Sequence, residues 1–355
     1  MIGLLYNEKV GYIFSANFSL YSLFFQTHGN YFLPIAIFLS GLATSYYTKN
    51  VTKRIDATGP GVSGGAIFAA TNILFHLINN DFYWRQILVE TTFSFANGFA
   101  SIFIVLGILP YIEELTMMSS NLRYIELGNL SNPLLRELSI KAKGTYNHSV
   151  NIANLVEPAA NAIGANSSFA RVAAYYHDIG KMAKPDYFTE NQENGINPHE
   201  KLSPYISASI IISHVKKSLE LAKKHKLPYP IREIMEQHHG TRLVQYFFNL
   251  ASSELTGGEV QETPFRYDGP KPQSKEAAII MLADVVEAKS KSLEKYTHTA
   301  VKKIVDSTIT QIFEEGELDE SGITVGELNK VKGVFIKTLI GMYHKRISYN
   351  NPKRG

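Results

Sequence analysis

Five histidines and two aspartates fall in an order that can do chemistry. His148 stands in Gly144-Thr-Tyr-Asn-His-Ser149, and His177 and Asp178 are adjacent in Tyr175-Tyr-His-Asp-Ile-Gly-Lys181. His214 follows Ser213, His238 and His239 stand side by side in Glu236-Gln-His-His-Gly-Thr241, and Asp284 lies in Met281-Leu-Ala-Asp-Val-Val-Glu-Ala288. Imidazole and carboxylate groups are ligands of divalent transition metals, and a bridging carboxylate can hold two ions about 3.5–4 Å apart. Seven such ligands, one of them bridging, suffice for two neighbouring ions with open positions. A pair of this kind activates water near neutral pH and clamps phosphate oxygens during in-line attack.

The elements that must position these groups are helical. Segments Ser167–Tyr176, Ser203–His225, Ile231–His238, Lys275–Leu293 and Leu328–Tyr343 carry helix-period apolar patterns. Runs rich in Gly, Pro and Asn separate them, and no βαβ alternation appears, which argues against a doubly wound nucleotide fold.

Upstream the composition changes. The chain has 355 residues, of which 67 are charged, yet residues 1–110 hold only nine of these. Four apolar stretches, Val10–Phe25, Tyr31–Tyr47, Gly61–Ile78 and Ile87–Ile112, read as transmembrane helices, the last two at full bilayer length. Lys49, Lys53 and Arg54 cluster in the loop after the second stretch, and the positive-inside rule puts that loop in the cytoplasm. The soluble part, residues 115–355, is then cytoplasmic too. The expected division is a membrane sector at 1–114, a connector helix at 115–143 with recurring leucines, a soluble domain at 144–346 and a tail at 347–355. With no cysteine there is no disulfide framework, no thiolate ligand and no Cys nucleophile. A net charge of +3 gives no case for a nucleic-acid polymer as partner.

The ordered set resembles the HD-domain phosphohydrolases. The stretches Gly144–Ser149, His177–Met182, Asn197–Pro204, Gln237–Thr241 and Phe265–Gln273 together resemble one subfamily, the seven-transmembrane HD family of cyclic-di-AMP phosphodiesterases. The resemblance implies an all-α fold, transmembrane helices followed by a cytoplasmic all-helical HD domain. It implies hydrolysis of cyclic di-AMP to linear pApA with two divalent transition-metal ions, iron or manganese. One ion would be held by His148, His177, Asp178 and Asp284, the other by Asp178, His214, His238 and His239. Lys181, one helical turn past His177, would contact phosphate and stabilise charge beside the catalytic Asp178. Asn147 and Lys143 stand where many relatives carry His and Pro. Four spans are visible here against seven in the family, so the chain reads as a C-terminal portion or a shortened relative.

Arg266 and Tyr267 offer a guanidinium for phosphate and a ring for stacking on adenine; a plain structural turn is the competing reading. His199 fits a structural or a substrate role equally. His28, His76, Glu90, Glu113 and Glu114 read as interfacial groups without special roles, and the lysines at 216, 217, 223 and 224 as a solvated helix face. An HD phosphodiesterase for cyclic di-GMP is the rival enzyme. Its Gly-Tyr-Pro motif after the paired histidines is replaced here by Gly240-Thr241-Arg242. A non-catalytic cyclic-dinucleotide receptor is the rival of another class. The lipid bilayer is the expected partner besides substrate, and a homo-oligomer is left open.

Overall fold

The computed structural model describes residues 1–6, 8–24, 32–49, 51, 53–192, 197–254 and 259–343. His28, His344 and the expected tail at 347–355 lie outside the described residues. Helices are the regular structure throughout the described residues, and a single antiparallel bridge joins Leu243 to Arg266. The all-α expectation is met. The chain divides into two compact units, Met1–Glu126 and Leu127–Gly355.

The first unit is a run of helices: α1 (Ile2–Leu5), α2 (Glu8–Phe24), α3 (Phe32–Thr48), α4 (Thr58–Ile78), α5 (Trp84–Thr116) and the short α6 (Asn121–Leu127). Two segments are long and apolar enough to cross a bilayer, Arg54–Ile78 with mean hydropathy 1.5 and Trp84–Thr116 with 1.9. At 17 residues each, α2 and α3 rise about 25 Å, the lower end of what a span needs. Only 11% of the most apolar window of α5 is buried. Phe93, Phe103, Ile104 and Tyr111 stand exposed along it. A soluble core helix buries such a face, so this apolar surface fits lipid contact. α4 and α5 meet through small residues. A Cβ on Gly98 would lie 2.8 Å from the Gly65 Cα and 2.6 Å from the Gly61 carbonyl oxygen, the close backbone approach that small residues permit between membrane helices.

His76 and Glu90 are not the unengaged interfacial groups expected. His76 is 5% exposed, and its Nε2 lies 2.9 Å from Glu90 Oε2. Asn72 and Gln86 donate to the same carboxylate at 2.8 Å each. The two helices pair as a hairpin, so groups 14 residues apart in sequence end side by side.

The connector at 115–143 is not one helix. It holds the end of α5, α6 and α7 (Pro133–Lys141). Asn132 caps α7 by accepting from the Leu134 amide, and Pro133 takes the first turn, where its missing N–H costs nothing. The leucine period hid this start signal. Leu122, Leu127, Leu134, Leu135 and Leu138 are buried, while Leu115 and Leu130 are exposed.

The second unit continues with α8 (Lys143–Ala162), α9 (Ser167–Tyr176), α10 (Pro204–Lys224), α11 (Tyr229–Gln237), α12 (Gln245–Glu254), α13 (Lys275–Ser290), α14 (His298–Glu314) and α15 (Val325–Tyr343). α12 and α14 were not foreseen. α13 is central and buried nearly all round, from Ala277 to Ala283 without a break, and it packs against α8, α9, α11 and α14. Side-chain caps start four of these helices: Asn166, Ser203, Ser274 and Thr297 each accept from the amide three residues on, worth about 1 kcal/mol apiece.

Candidate metal centre

The seven predicted side chains come together around Asp178. His148 projects from the second turn of α8 and Asp284 from α13. His177 follows the last residue of α9, and Asp178 begins the tight 3-10 turn Ile179–Ala183. His214 lies on α10, His238 ends α11, and His239 falls in the turn beyond it. Because the chain leaves the helix at His238, the paired rings are not splayed by a full helical step. Their centroids sit 4.0 Å apart.

Two groups of four could each hold an ion, His148, His177, Asp178 and Asp284, and Asp178, His214, His238 and His239. Within each group the ligand atoms lie within 4.8 Å of one another. Asp178 belongs to both, and it is 1% exposed. Its Oδ2 lies 3.1 Å from His177 Nε2 and 3.8 Å from His148 Nε2. Its Oδ1 lies 3.1 Å from His214 Nε2 and 3.6 Å from His238 Nε2. His148 Nε2 and Asp284 Oδ1 are 2.9 Å apart, and the Nε2 atoms of His214 and His239 face each other at 3.2 Å.

The far side of each ring explains why the near side is available. Nδ1 of His177, His214 and His238 donates to the carbonyls of Ala174, Ile211 and Met235 at 2.7, 2.6 and 2.8 Å. A carbonyl only accepts, so the proton sits on Nδ1 and the Nε2 lone pair points inward. His177 Nε2, His238 Nε2 and Asp178 Oδ1 are buried without a hydrogen-bond partner. Buried polar atoms are rarely left so. Convergent lone pairs from imidazole and carboxylate are the donor set a divalent cation satisfies, so the residues present fit metal binding.

One close approach makes the arrangement feasible. A Cβ on Gly180 would lie 2.1 Å from the His214 carbonyl oxygen and 2.4 Å from the Ser218 nitrogen, and the Gly180 amide donates to Ser218 Oγ at 2.9 Å. Only glycine lets the Asp178 turn rest directly on α10, bringing His214 to Asp178.

The electrostatics follow from burial and pairing. Burial works to raise the Asp178 carboxyl, but the His177 ring and the Lys181 ammonium beside it hold it well below the usual carboxylate range. Burial likewise opposes the Lys181 charge, yet Asp178 and Glu190 hold its ammonium well above the usual lysine range. Lys181 Nζ lies 2.8 Å from each of these carboxylates, so the expected phosphate contact is already engaged on two sides. Burial disfavours a charged His148 as well, but hydrogen bonds to Asp284 and Glu287 win and raise the ring to about 9. Ligation through His148 Nε2 would displace that proton. Burial, aided by His238 and His214, keeps His239 well below its usual value and neutral.

Tyr267 and Arg266 part company. The bridge between Leu243 and Arg266 and the Tyr267 amide bond to the Arg242 carbonyl pin this loop beside the His239 turn. Tyr267 stacks on His239 with centroids 4.2 Å apart, forming part of the wall, and burial raises its phenol. Arg266 is instead tied to Glu262 and to the Thr241 carbonyl, and it lines a separate polar cavity of about 350 Å³ with Arg242, Glu315 and Glu317. The His199 ring packs on Phe247, and its Nε2 bonds the Tyr187 carbonyl.

Three carboxylates were missed by sequence reasoning. Glu190 pairs with Lys181, Glu287 sits behind His148, and Glu317 accepts from both the amide and hydroxyl of Thr241, fixing the turn after His239. The spacing of Glu287, three residues past Asp284 on one helix, was the available signal.

Comparison with known proteins places this geometry. Residues 145–289 match the HD domain family, and residues 1–120 match the family described as 7TM receptor with intracellular HD hydrolase. Cyclic-di-AMP phosphodiesterase PgpH of Listeria monocytogenes is 39% identical over 99% of this chain and 49% of its own length. The protein of the same name from Bacillus subtilis is 37% identical over 98% of this chain and 50% of its own. The chain thus spans about half the length of the curated relatives it matches. Crystal structures of the L. monocytogenes PgpH HD domain, alone and in complex with cyclic-di-AMP, are 45% and 46% identical. They cover 60% and 61% of this chain and all of their own, with TM-scores of 0.57 and 0.58. The HD match and the His/Asp cluster together suggest divalent-metal binding, and the match over 1–120 together with two long apolar helices suggests a membrane protein. The chain belongs to the HD-domain family.

Proposed function

We propose that this chain is a membrane-anchored, metal-dependent phosphodiesterase that hydrolyses cyclic di-AMP to linear pApA with two divalent ions, iron or manganese. The observation that carries the reading is the convergence of two four-residue ligand groups on the single buried carboxylate of Asp178. It lies within a domain 46% identical to one crystallised with cyclic-di-AMP.

When bound, a pair of divalent ions lowers the pKa of a coordinated water and neutralises charge developing on phosphate oxygens. The residues supply the rest. Asp178 presents one oxygen to each group and so bridges them. His148, His177 and Asp284 complete one side, and His214, His238 and His239 the other. Lys181, kept cationic by Asp178 and Glu190, places a fixed positive charge beside the reacting phosphate. Tyr267, stacked on His239, adds an aromatic ring to the wall against which an adenine can pack. Arg266 reaches phosphate only by exchanging its bonds to Glu262 and Thr241.

Residues 1–114 form the multi-pass membrane sector in this reading, and residues 144–346 the cytoplasmic HD domain. Residues 115–143 link the two. The Lys49, Lys53 and Arg54 loop faces the cytoplasm.

The test is incubation of the detergent-purified, manganese- or iron-loaded chain with cyclic di-AMP and, in parallel, cyclic di-GMP, with products followed by chromatography. Linear pApA from the first and little product from the second is expected. Tight binding without turnover under either metal would replace the enzyme reading with a receptor.

A further inference from the structure

We infer that Glu287 is a positioning residue that makes the two metal positions unequal, so that the position formed by His148, His177, Asp178 and Asp284 fills before the one formed by Asp178, His214, His238 and His239. The inference rests on the two-ion reading above. Its basis is the partner behind each ring. His177, His214 and His238 each give their Nδ1 proton to a neutral backbone carbonyl three residues back on their own helix or its end. His148 does not. Its Nδ1 lies 2.8 Å from Glu287 Oε2, a carboxylate from a different helix. A carboxylate draws the Nδ1 proton more strongly than a carbonyl does and makes the opposite nitrogen a better donor to a metal.

Glu287 is built for the role. It is fully buried, Asn151 Nδ2 donates to its Oε1 at 3.1 Å, and Lys291 Nζ lies 2.9 Å from its Oε2. Asp284 and Glu287 are three residues apart on α13 and so share a face. One helix therefore supplies both a carboxylate ligand and the carboxylate behind His148, whose Nε2 is 2.9 Å from Asp284. The first position then has two carboxylates and one carboxylate-backed imidazole. The second has the shared carboxylate and three histidines, two of them, His214 and His238, backed by carbonyls. A dication favours the more negative donor set.

The experiment is a titration of the metal-stripped, detergent-purified chain with Mn²⁺, read by calorimetry and by electron paramagnetic resonance. In wild type the first equivalent gives an isolated six-line spectrum, and the second converts it to a spin-coupled one. Glu287→Gln keeps the shape and removes the charge; it weakens the first step by about 10–100-fold, as loss of an outer partner does. Asn151→Ala, which leaves the Nδ1 contact in place, stays near wild type at that step. A purely structural role for Glu287 predicts the same result for both variants and is overturning. If Glu287→Gln does not fold, the wild-type spectra decide alone: spin coupling from the first aliquot contradicts ordered filling. Wild type that binds fewer than two ions removes the two-ion reading itself. Two ions bound with an unaltered first step in Glu287→Gln removes only the inference.

Discussion

In the first unit His76 and Glu90 meet at 2.9 Å between α4 and α5; in the second, His148 and Asp284 meet at the same 2.9 Å between α8 and α13. The outcomes differ. Around Glu90 three groups, His76, Asn72 and Gln86, point to one carboxylate, and the one orphaned ring atom, His76 Nδ1, stands alone. Around Asp178 the inward atoms outnumber the protons available to join them, and three remain buried without partners. Among the described residues, groups of three or more ligand atoms form only there. A histidine beside a carboxylate is therefore a clamp when it stands as a single pair and a metal site when several such pairs converge, incomplete, on one point.

The comparison can be broken most forcefully at the ligands. His148→Ala and His214→Ala remove one histidine from each group, and each is expected to lower turnover on the order of 10³-fold. The double variant should be little worse than either single one, because the seven residues act as a unit. Single-turnover assays on the three proteins check this; independent, multiplying losses would separate the two groups.

A smaller effect is expected where the fold brings the groups together. Gly180→Ala forces a Cβ against the α10 backbone at His214 and Ser218. Destabilisation of about 1–3 kcal/mol is expected, with weakened metal retention because His214 moves from Asp178. Thermal unfolding and metal analysis of the same sample read both. Unchanged metal content would mean that close backbone contact is not what sets the His214 position.

The smallest effect belongs to the first unit. His76→Ala should cost about 1 kcal/mol, the usual scale for a hydrogen bond between membrane helices, and should leave the number of bound ions unchanged. Unfolding in detergent micelles measures the first and elemental analysis the second. Loss of metal in this variant would erase the distinction between clamp and site.

Much of the site was legible because its ligands sit in short motifs whose order survives folding. His177-Asp178 and His238-His239 are each local pairs, and the apolar periods around His214 and Asp284 mark their helices. What stayed hidden is what depends on pairing between distant segments. Glu287 meets His148 across 139 residues, and no spacing rule says which face of α13 looks back at α8. Arg266 carried a visible signal in Glu262, four residues earlier, but without a predicted helix there the pair went unread. His76 and Glu90 became partners only once α4 and α5 folded as a hairpin. The connector was misread for a local reason, since Asn132-Pro133 is a helix start placed inside a regular leucine pattern.

The central claim is that Asp178 joins two metal positions. Elemental analysis of the manganese-loaded chain, wild type beside Asp178→Ala, tests it most directly. About two ions per wild-type chain, and loss of both binding and cyclic-di-AMP turnover in Asp178→Ala, is the predicted result. Two retained ions, or undiminished turnover, in Asp178→Ala would contradict it.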